Sequence, residues 1–208
     1  MTGVQTCALP IYVMGMETIM LKMHDAPEIA HRLLEKITDC RYAFIERILE
    51  TAPWVDEIII MDELGAQNGL LFSPRVFKTF LYPYHKRLTD LIHSYGKRAY
   101  YHSCGSVRKL IPNLVDMGID ILDNIQPTAA NMDPHEIKAE FDSLTLSVQT
   151  DEIHRLVHST PDEIYSFYRE LCVEMSKGGR FIISPTFRAQ TTPKANLEAL
   201  LKAIAEPF

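Results

Sequence analysis

His102 and Cys104 stand two residues apart in "RAYYHSCGSV" (98–107), at the end of an apolar run and just before a glycine. On a strand that continues to Cys104 the two side chains point the same way, and imidazole and thiolate are the donors zinc prefers. The pair could equally serve a catalytic pocket without metal, or simply be the polar end of a strand. A complete zinc site needs at least one more protein ligand. Cys40 falls between Ile37 and Phe44, and Cys172 falls among Ile164, Phe167, Tyr168, Leu171 and Met175, so both cysteines sit on apolar helical stripes and are expected in the core. The third ligand is then expected to be an oxygen, from Asp62, Glu63 or Asp151.

Asp62 and Glu63 are adjacent carboxylates at the end of "VDEIIIMDE", chemistry suited to a general acid or a metal ligand. Neighbours on a strand face opposite ways, so one of the two enters the site, and the expectation falls on Asp62. Asp151, after "SVQT", either carries charge into the pocket or caps the next turn. Arg188 and Gln190 in "SPTFRAQTTP" could hold a substrate carboxylate through the guanidinium fork, against the alternative of a surface arginine. The expected catalytic set is therefore Asp62, His102 and Asp151, and the expected substrate-binding set is Gln67, Gln126, Arg188 and Gln190, with His102 and Cys104 as metal ligands. The other seven histidines (His24, His31, His85, His93, His135, His154 and His158) fall on helices or adjoining loops and read mostly as solvated faces. No glycine-rich phosphate loop, serine nucleophile elbow or HExxH is present.

The elements that must position these residues alternate regularly from Pro27 onward. Ile29, Leu33, Ile37, Cys40, Phe44 and Ile48 recur every three or four residues and predict one apolar face on a helix reaching about Thr51. Strands are predicted at "VDEIIIMDE", "RAYYHS", "IDILDNI", "LTLSVQ" and "RFIISPT". Between them lie helices announced by Ser73-Pro74, by Asp133-Pro134, by the capping box Thr160-Pro161-Asp162-Glu163 and by Thr192-Pro193, with Gly96, Gly118 and Gly178-Gly179 as stops. Strands apolar on both faces suit a parallel sheet buried between layers. Five strands, each followed by a helix, fit part of a (β/α)8 barrel, which needs roughly 250 residues when whole. In such a barrel the chemistry sits at the C-terminal strand ends, and there the polar residues collect: Asp62, Glu63 and Gln67, then His102 and Cys104, Asn124 and Gln126, Gln149 and Asp151, Arg188 and Gln190.

The first eleven residues, "MTGVQTCALPI", match nothing that follows and read as the in-frame translation of a sequencing-adapter oligonucleotide. On that expectation residues 1–11 carry no structure, Cys7 leaves the ligand arithmetic, and residues 12–208 are the C-terminal part of a single barrel encoded by a truncated gene. The remaining composition is that of an ordinary globular domain. A net charge of -6 with scattered Lys and Arg argues against nucleic-acid binding, no apolar run spans a membrane, and widely spaced cysteines without an export signal predict reduced thiols in the cytoplasm.

"MDELGAQNGLLFSPRVFKTFLYPYHKRL", "YYHSCGSVRKLIPNLVDMGIDILDNIQPTA" and "STPDEI…GGRFIISPTFRAQTTPKANLEAL" resemble successive blocks of the uroporphyrinogen decarboxylase family and its methyltransferase-like relatives. The resemblance covers nearly all of residues 12–208 and implies one of two activities. In the methyltransferase branch an H-x-C at this strand and a Cys near the last strand bind zinc, which lowers a thiol's pKa so that the thiolate attacks a methyl group. His102 and Cys104 match the first part, whereas "FIISPTFRAQ" has no Cys. In the decarboxylase branch, cofactor-free, the substrate-binding carboxylate and arginines lie upstream of Tyr12, and a Gly-His-Gly stands near the last strand where this chain has Phe187 and Arg188. The resemblance thus favours corrinoid-linked methyl transfer to a thiol, with zinc, a small-molecule substrate, a corrinoid carried by a partner protein and a homodimer at full length, the fragment itself being inactive. The alternatives are decarboxylation of uroporphyrinogen or a related polycarboxylate in porphyrin biosynthesis, or a barrel that has lost catalysis and serves as a binding or assembly subunit.

Overall fold

The computed structural model of the chain describes residues 3–5 and 8–207. Six strands run parallel in the order β1 (Gly3–Gln5), β2 (Glu57–Met61), β5 (Arg98–His102), β6 (Ile121–Ile125), β7 (Thr145–Gln149) and β8 (Phe181–Ser184). Between β2 and β5, β3 (Gly65–Ala66) and β4 (Gly69–Leu70) form a small antiparallel hairpin. The five predicted strands are all present, and sequence neighbours in this series are spatial neighbours, each joined by a helical crossover. This is the architecture of a partial (β/α)8 barrel.

Alternation along each strand separates two faces. Ile58, Ile60, Ala99, Tyr101, Leu122, Leu146 and Val148 are buried under the helices, each large aliphatic contributing on the order of 1.5–3 kcal/mol by leaving water. The opposite face carries a row set by register: Met61 pairs with His102, His102 with Asp123, and Asp123 with Ser147. Polar groups of three strands, β5, β6 and β7, therefore line up beside Met61 of β2 on the inner side of the arc.

Before β2 come α1 (Ala8–Met14), α2 (Met16–Asp25) and α3 (Pro27–Thr51). The capping signals place the later helices as read. Ser73 Oγ accepts from the amide of Val76 ahead of α4 (Pro74–Val76), which continues through a π turn (Phe77–Leu81) into α5 (Tyr82–Ser94). A 3-10 turn (Arg108–Leu110) leads into α6 (Ile111–Met117), and Asp133 Oδ1 caps α7 (Pro134–Glu140) by accepting from the amides of His135 and Glu136. The short α8 (Arg155–His158) precedes α9 (Pro161–Ser176), whose Thr160–Glu163 capping box is reciprocal, and α10 (Lys194–Ala205) packs on α9. Among the described residues no helix is long and apolar enough to cross a membrane.

Three features depart from the expectations. Residues 3–5 and 8–11, expected to carry no structure, are placed as the edge strand beside β2 and the start of a helix. The core side of α3 is Ala30, Leu34, Thr38, Arg41, Ile45 and Leu49, rotated by one residue from the apolar stripe. Ile29 is 44% exposed and Phe44 54%, while Leu33 and Ile48 touch the core only from its margin. One residue is a 100° turn of the helix, so a stripe can border the buried arc without filling it. In consequence Cys40 is exposed, and among the described residues Cys172 is the one buried cysteine.

Candidate functional site

The "HSCGS" segment leaves β5 with its residues facing alternate ways. Ser103 is buried and turned away from the arc, and its Oγ accepts from the amide of Leu64 at 2.9 Å. That tie fixes the loop after β2 against the loop after β5. Two glycines let the loops close further: a Cβ on Gly65 would lie 2.7 Å from the carbonyl oxygen of Cys104, and one on Gly105, whose φ is +74°, would lie 2.7 Å from that of Ala66. Only glycine accepts both the left-handed backbone and the approach. The amide of Ser106 then donates to the carbonyl of Ala66 at 2.8 Å.

His102 and Cys104 face the opening, with Cys104 Sγ 3.7 Å from His102 Nε2. The third group is Glu63. Its Oε1 lies 3.7 Å from His102 Nε2, and its Oε2 accepts from the amide of Cys104 at 2.9 Å. Glu63, His102 and Cys104 each offer one ligand atom, all within 4.8 Å of one another, and they form the only such group among the described residues. Tetrahedral zinc with its usual bond lengths places N, O and S ligand atoms about 3.3–3.6 Å apart. The donor set, one imidazole, one sulfur and one carboxylate, therefore fits a divalent ion in chemistry and nearly in spacing, with a fourth position left over.

The strand beside this cluster supports it. His102 Nδ1 donates to Asp123 Oδ2 at 2.6 Å, which fixes the ring and leaves Nε2 facing Glu63 and Cys104. A carboxylate behind a histidine is the support commonly found around histidine metal ligands. Asn124 Nδ2 donates to Cys104 Sγ at 2.9 Å. Asp123 and Asn124 are consecutive, and both reach the site because the register slips between Asp123 and Ile125, with Asn124 at φ 67°. Asn tolerates that left-handed conformation better than most residues.

Burial alone would lower the imidazole pKa of His102 and raise those of the carboxylates. Hydrogen bonds to Asp123, Cys104 and Glu63 overcome it, and His102 is held up to about 11. Glu63 and Asp123 are both held below the usual carboxylate range, burial being outweighed by hydrogen bonds from His102 and, for Glu63, from the Cys104 amide. The cluster is thus an anionic cradle around one cationic position.

Asp62 corrects the expectation made for it. It shares the strand parity of Ile58 and Ile60, so it turns into the helix layer, 2% exposed, with Oδ2 3.1 Å from His85 Nε2. His85 Nδ1 in turn meets the hydroxyl of Tyr101 at 3.0 Å, so this histidine is a buried partner and not a solvated face. Burial pushes the Asp62 carboxyl upward, although its hydrogen bond to His85 opposes this. Asp62 Oδ1 accepts from the amide of Glu63 at 3.0 Å, so Asp62 helps hold Glu63 from behind.

The remaining expected residues do not join the cluster. Gln126 Oε1 accepts from the Gly105 amide at 2.7 Å and from Gln67 Nε2 at 3.4 Å, and Gln126 Nε2 donates to Gln149 Oε1 at 2.8 Å. The cleft they share with Asp151 measures about 30 Å³, room for a water and not for a substrate. Asp151 Oδ1 accepts from the amides of Ile153 and His154, the capping alternative. Arg188 is exposed and pairs with Glu152 at 3.5 Å, and Gln190 is exposed in the following turn. Sequence reasoning missed Asp123 altogether, named Asn124 without a role, and preferred Asp62 to Glu63. The available signal was the "DN" at the end of "IDILDNI", an acid on the inner parity followed by a residue suited to positive φ.

Comparison with known proteins gives the geometry a family. A methyltransferase from Methanosarcina mazei shares the fold with a TM-score of 0.68 at 18% identity, over 96% of this chain and 56% of that one. An endo-beta-1,4-xylanase of glycoside hydrolase family 10 from Gloeophyllum trabeum shares it with a TM-score of 0.52 at 13% identity, over 84% of this chain and 68% of that one. This chain thus spans little more than half the length of the methyltransferase. No curated protein matches it. The profile described as uroporphyrinogen decarboxylase (URO-D) matches residues 6–207, and over that span the chain belongs to the uroporphyrinogen decarboxylase family.

Proposed function

We propose that the protein to which this chain belongs transfers a methyl group to a thiol acceptor, from a corrinoid carried by a partner protein, with Glu63, His102 and Cys104 holding a zinc ion. The observation that carries the reading is the convergence of these three donors within 4.8 Å. It supplies the oxygen ligand that the lack of a Cys in "FIISPTFRAQ" calls for. Likeness of fold to a methyltransferase supports the same branch of the family.

Zinc, when bound, would stabilise an acceptor thiol as its thiolate, the nucleophile that takes the methyl group. The chain's own residues prepare the place. Asp123 holds the His102 ring through Nδ1 so that Nε2 faces the site. Asn124 directs an amide proton at Cys104 Sγ, an arrangement suited to an anionic sulfur. The Cys104 amide and the Asp62 carboxylate fix Glu63 at its head and at its backbone.

The test is zinc content by mass spectrometry of the purified protein and of Glu63→Gln and Cys104→Ser. About one equivalent in the parent, with less in both variants, is expected. A metal-free parent that takes up no added zinc sinks the reading, and turnover of uroporphyrinogen without metal replaces it with decarboxylation.

A further inference from the structure

On the inner face of the arc two hydroxyls stand where a barrel interior ordinarily holds branched aliphatic side chains. Tyr100 precedes His102 by two residues on β5 and so shares its face. Ser147, in the middle of β7, is the register partner of Asp123. Tyr100 reaches across β6, and its hydroxyl donates to Ser147 Oγ at 3.3 Å. Tyr100 is 8% exposed and Ser147 0%, so both hydroxyls are withdrawn from solvent, which is costly unless each finds a partner. We infer that Tyr100 and Ser147 are positioning residues of the cluster, forming a chain of hydroxyls that runs from Tyr100 through Ser147 to Asp123 and so holds His102 Nε2 on the site.

Counting donors gives the chain its direction. A serine hydroxyl has one proton to give and two acceptor sites. Ser147 accepts from Tyr100, so its own proton remains to be placed, and the acceptor that register sets opposite it is the Asp123 carboxylate, within hydrogen-bonding reach. Asp123 Oδ2 in turn accepts from His102 Nδ1 at 2.6 Å. The chain thus leaves β5 at Tyr100, passes over β7 and β6, and returns to β5 at His102. A carboxylate held from both sides does not turn freely about its Cβ–Cγ bond, and an imidazole bonded to a fixed acceptor keeps its ring angle. Neither hydroxyl touches the ligand atoms, so both act through Asp123. Their service to a metal ion rests on the function proposed above, whereas the hydroxyl chain itself does not.

Ser147→Ala and Tyr100→Phe remove the hydroxyls one at a time and keep the shape nearly unchanged. Zinc affinity of the full chain, read by competition with a chromophoric chelator, should fall about three- to tenfold for Ser147→Ala and about twofold for Tyr100→Phe, less than for a residue that touches a ligand directly. In an Asp123→Ala background, Ser147→Ala should change affinity by less than about 1.5-fold, because its route to His102 is gone, whereas a packing role would cost the same in both backgrounds. Zinc held equally tightly by the parent and Ser147→Ala, or an equal loss in both backgrounds, overturns this inference alone. The Nδ1 proton of His102 gives a second reading in metal-free, ¹⁵N-histidine-labelled protein, assigned by its loss in His102→Ala. It should resonate downfield in the parent, move upfield in Ser147→Ala as the acceptor loosens, and exchange away in Asp123→Ala. An unmoved signal in Ser147→Ala overturns the inference whatever the zinc result. A parent that takes up no zinc yet shows these shifts overturns only the proposed function.

Discussion

The ends of β2, β5 and β6 and the ends of β7 and β8 carry the same kinds of residue and meet different fates. At the first, Glu63, His102, Cys104, Asp123 and Asn124 come from three strands and converge. At the second, Asp151 caps a turn, Arg188 pairs with Glu152, and Gln149 holds Gln126. Residue type and place at a strand end do not distinguish them. Two details of backbone do. Register sets His102 directly beside Asp123, and a slip of register at Asn124 brings a second consecutive side chain to the same side. The β7–β8 pairing runs in register from Leu146 to Gln149 with no slip, and its charged residues Asp151 and Arg188 lie beyond the strands.

His102→Ala breaks the contrast most severely. It removes a central donor and leaves Asp123 without its partner. Zinc affinity, measured by competition with a chromophoric chelator, should fall by more than about 100-fold, beyond the loss typical of a supporting residue. A loss under tenfold would mean that the convergence does not hold the ion. Asp123→Asn comes next. It keeps the shape and removes the charge behind His102, so affinity should fall about 10–100-fold. An affinity within twofold of the parent would reduce Asp123 to a bystander and weaken the case that register makes the site.

The contrast explains what could be read from the chain and what could not. The five strands were legible because Ile-rich and Tyr-rich runs between capped helices have few alternatives, and Thr160–Glu163 and Asp133 signal their helices by local chemistry alone. Glu63 was not preferred because "EIIIM" is apolar on both parities. Alternation says that Asp62 and Glu63 part company, but not which of them joins Ile58 and Ile60 under the helices. Asp123 was invisible because its partner lies 21 residues away and is met only through parallel register. The α3 stripe failed for a related reason: periodicity fixes an angle around a helix, not what packs against it.

On the quiet side, Asp151→Ala should cost about 1 kcal/mol in denaturant unfolding, as the loss of a capping carboxylate does, with zinc affinity unchanged. Its two amide acceptor contacts are local, at Ile153 and His154. A tenfold fall in zinc affinity would extend the convergent region to β7 and erase the comparison.

Arg188→Ala is the smallest change and the sharpest control. The guanidinium is more than half exposed, and its partner Glu152 stands 3.5 Å away with no bidentate contact. Exposed pairs of this kind contribute about 0–1 kcal/mol and are screened by salt. Stability should therefore shift by less than about 0.5 kcal/mol at low salt, and the difference from the parent should vanish at about 0.5 M salt, where screening acts over only a few ångströms. Zinc affinity should match that of the parent, because Arg188 pairs with Glu152 and belongs neither to the donor set nor to its supports. A tenfold fall on loss of Arg188 would bring the β8 end to the ion, and the two ends of the arc would then be one site.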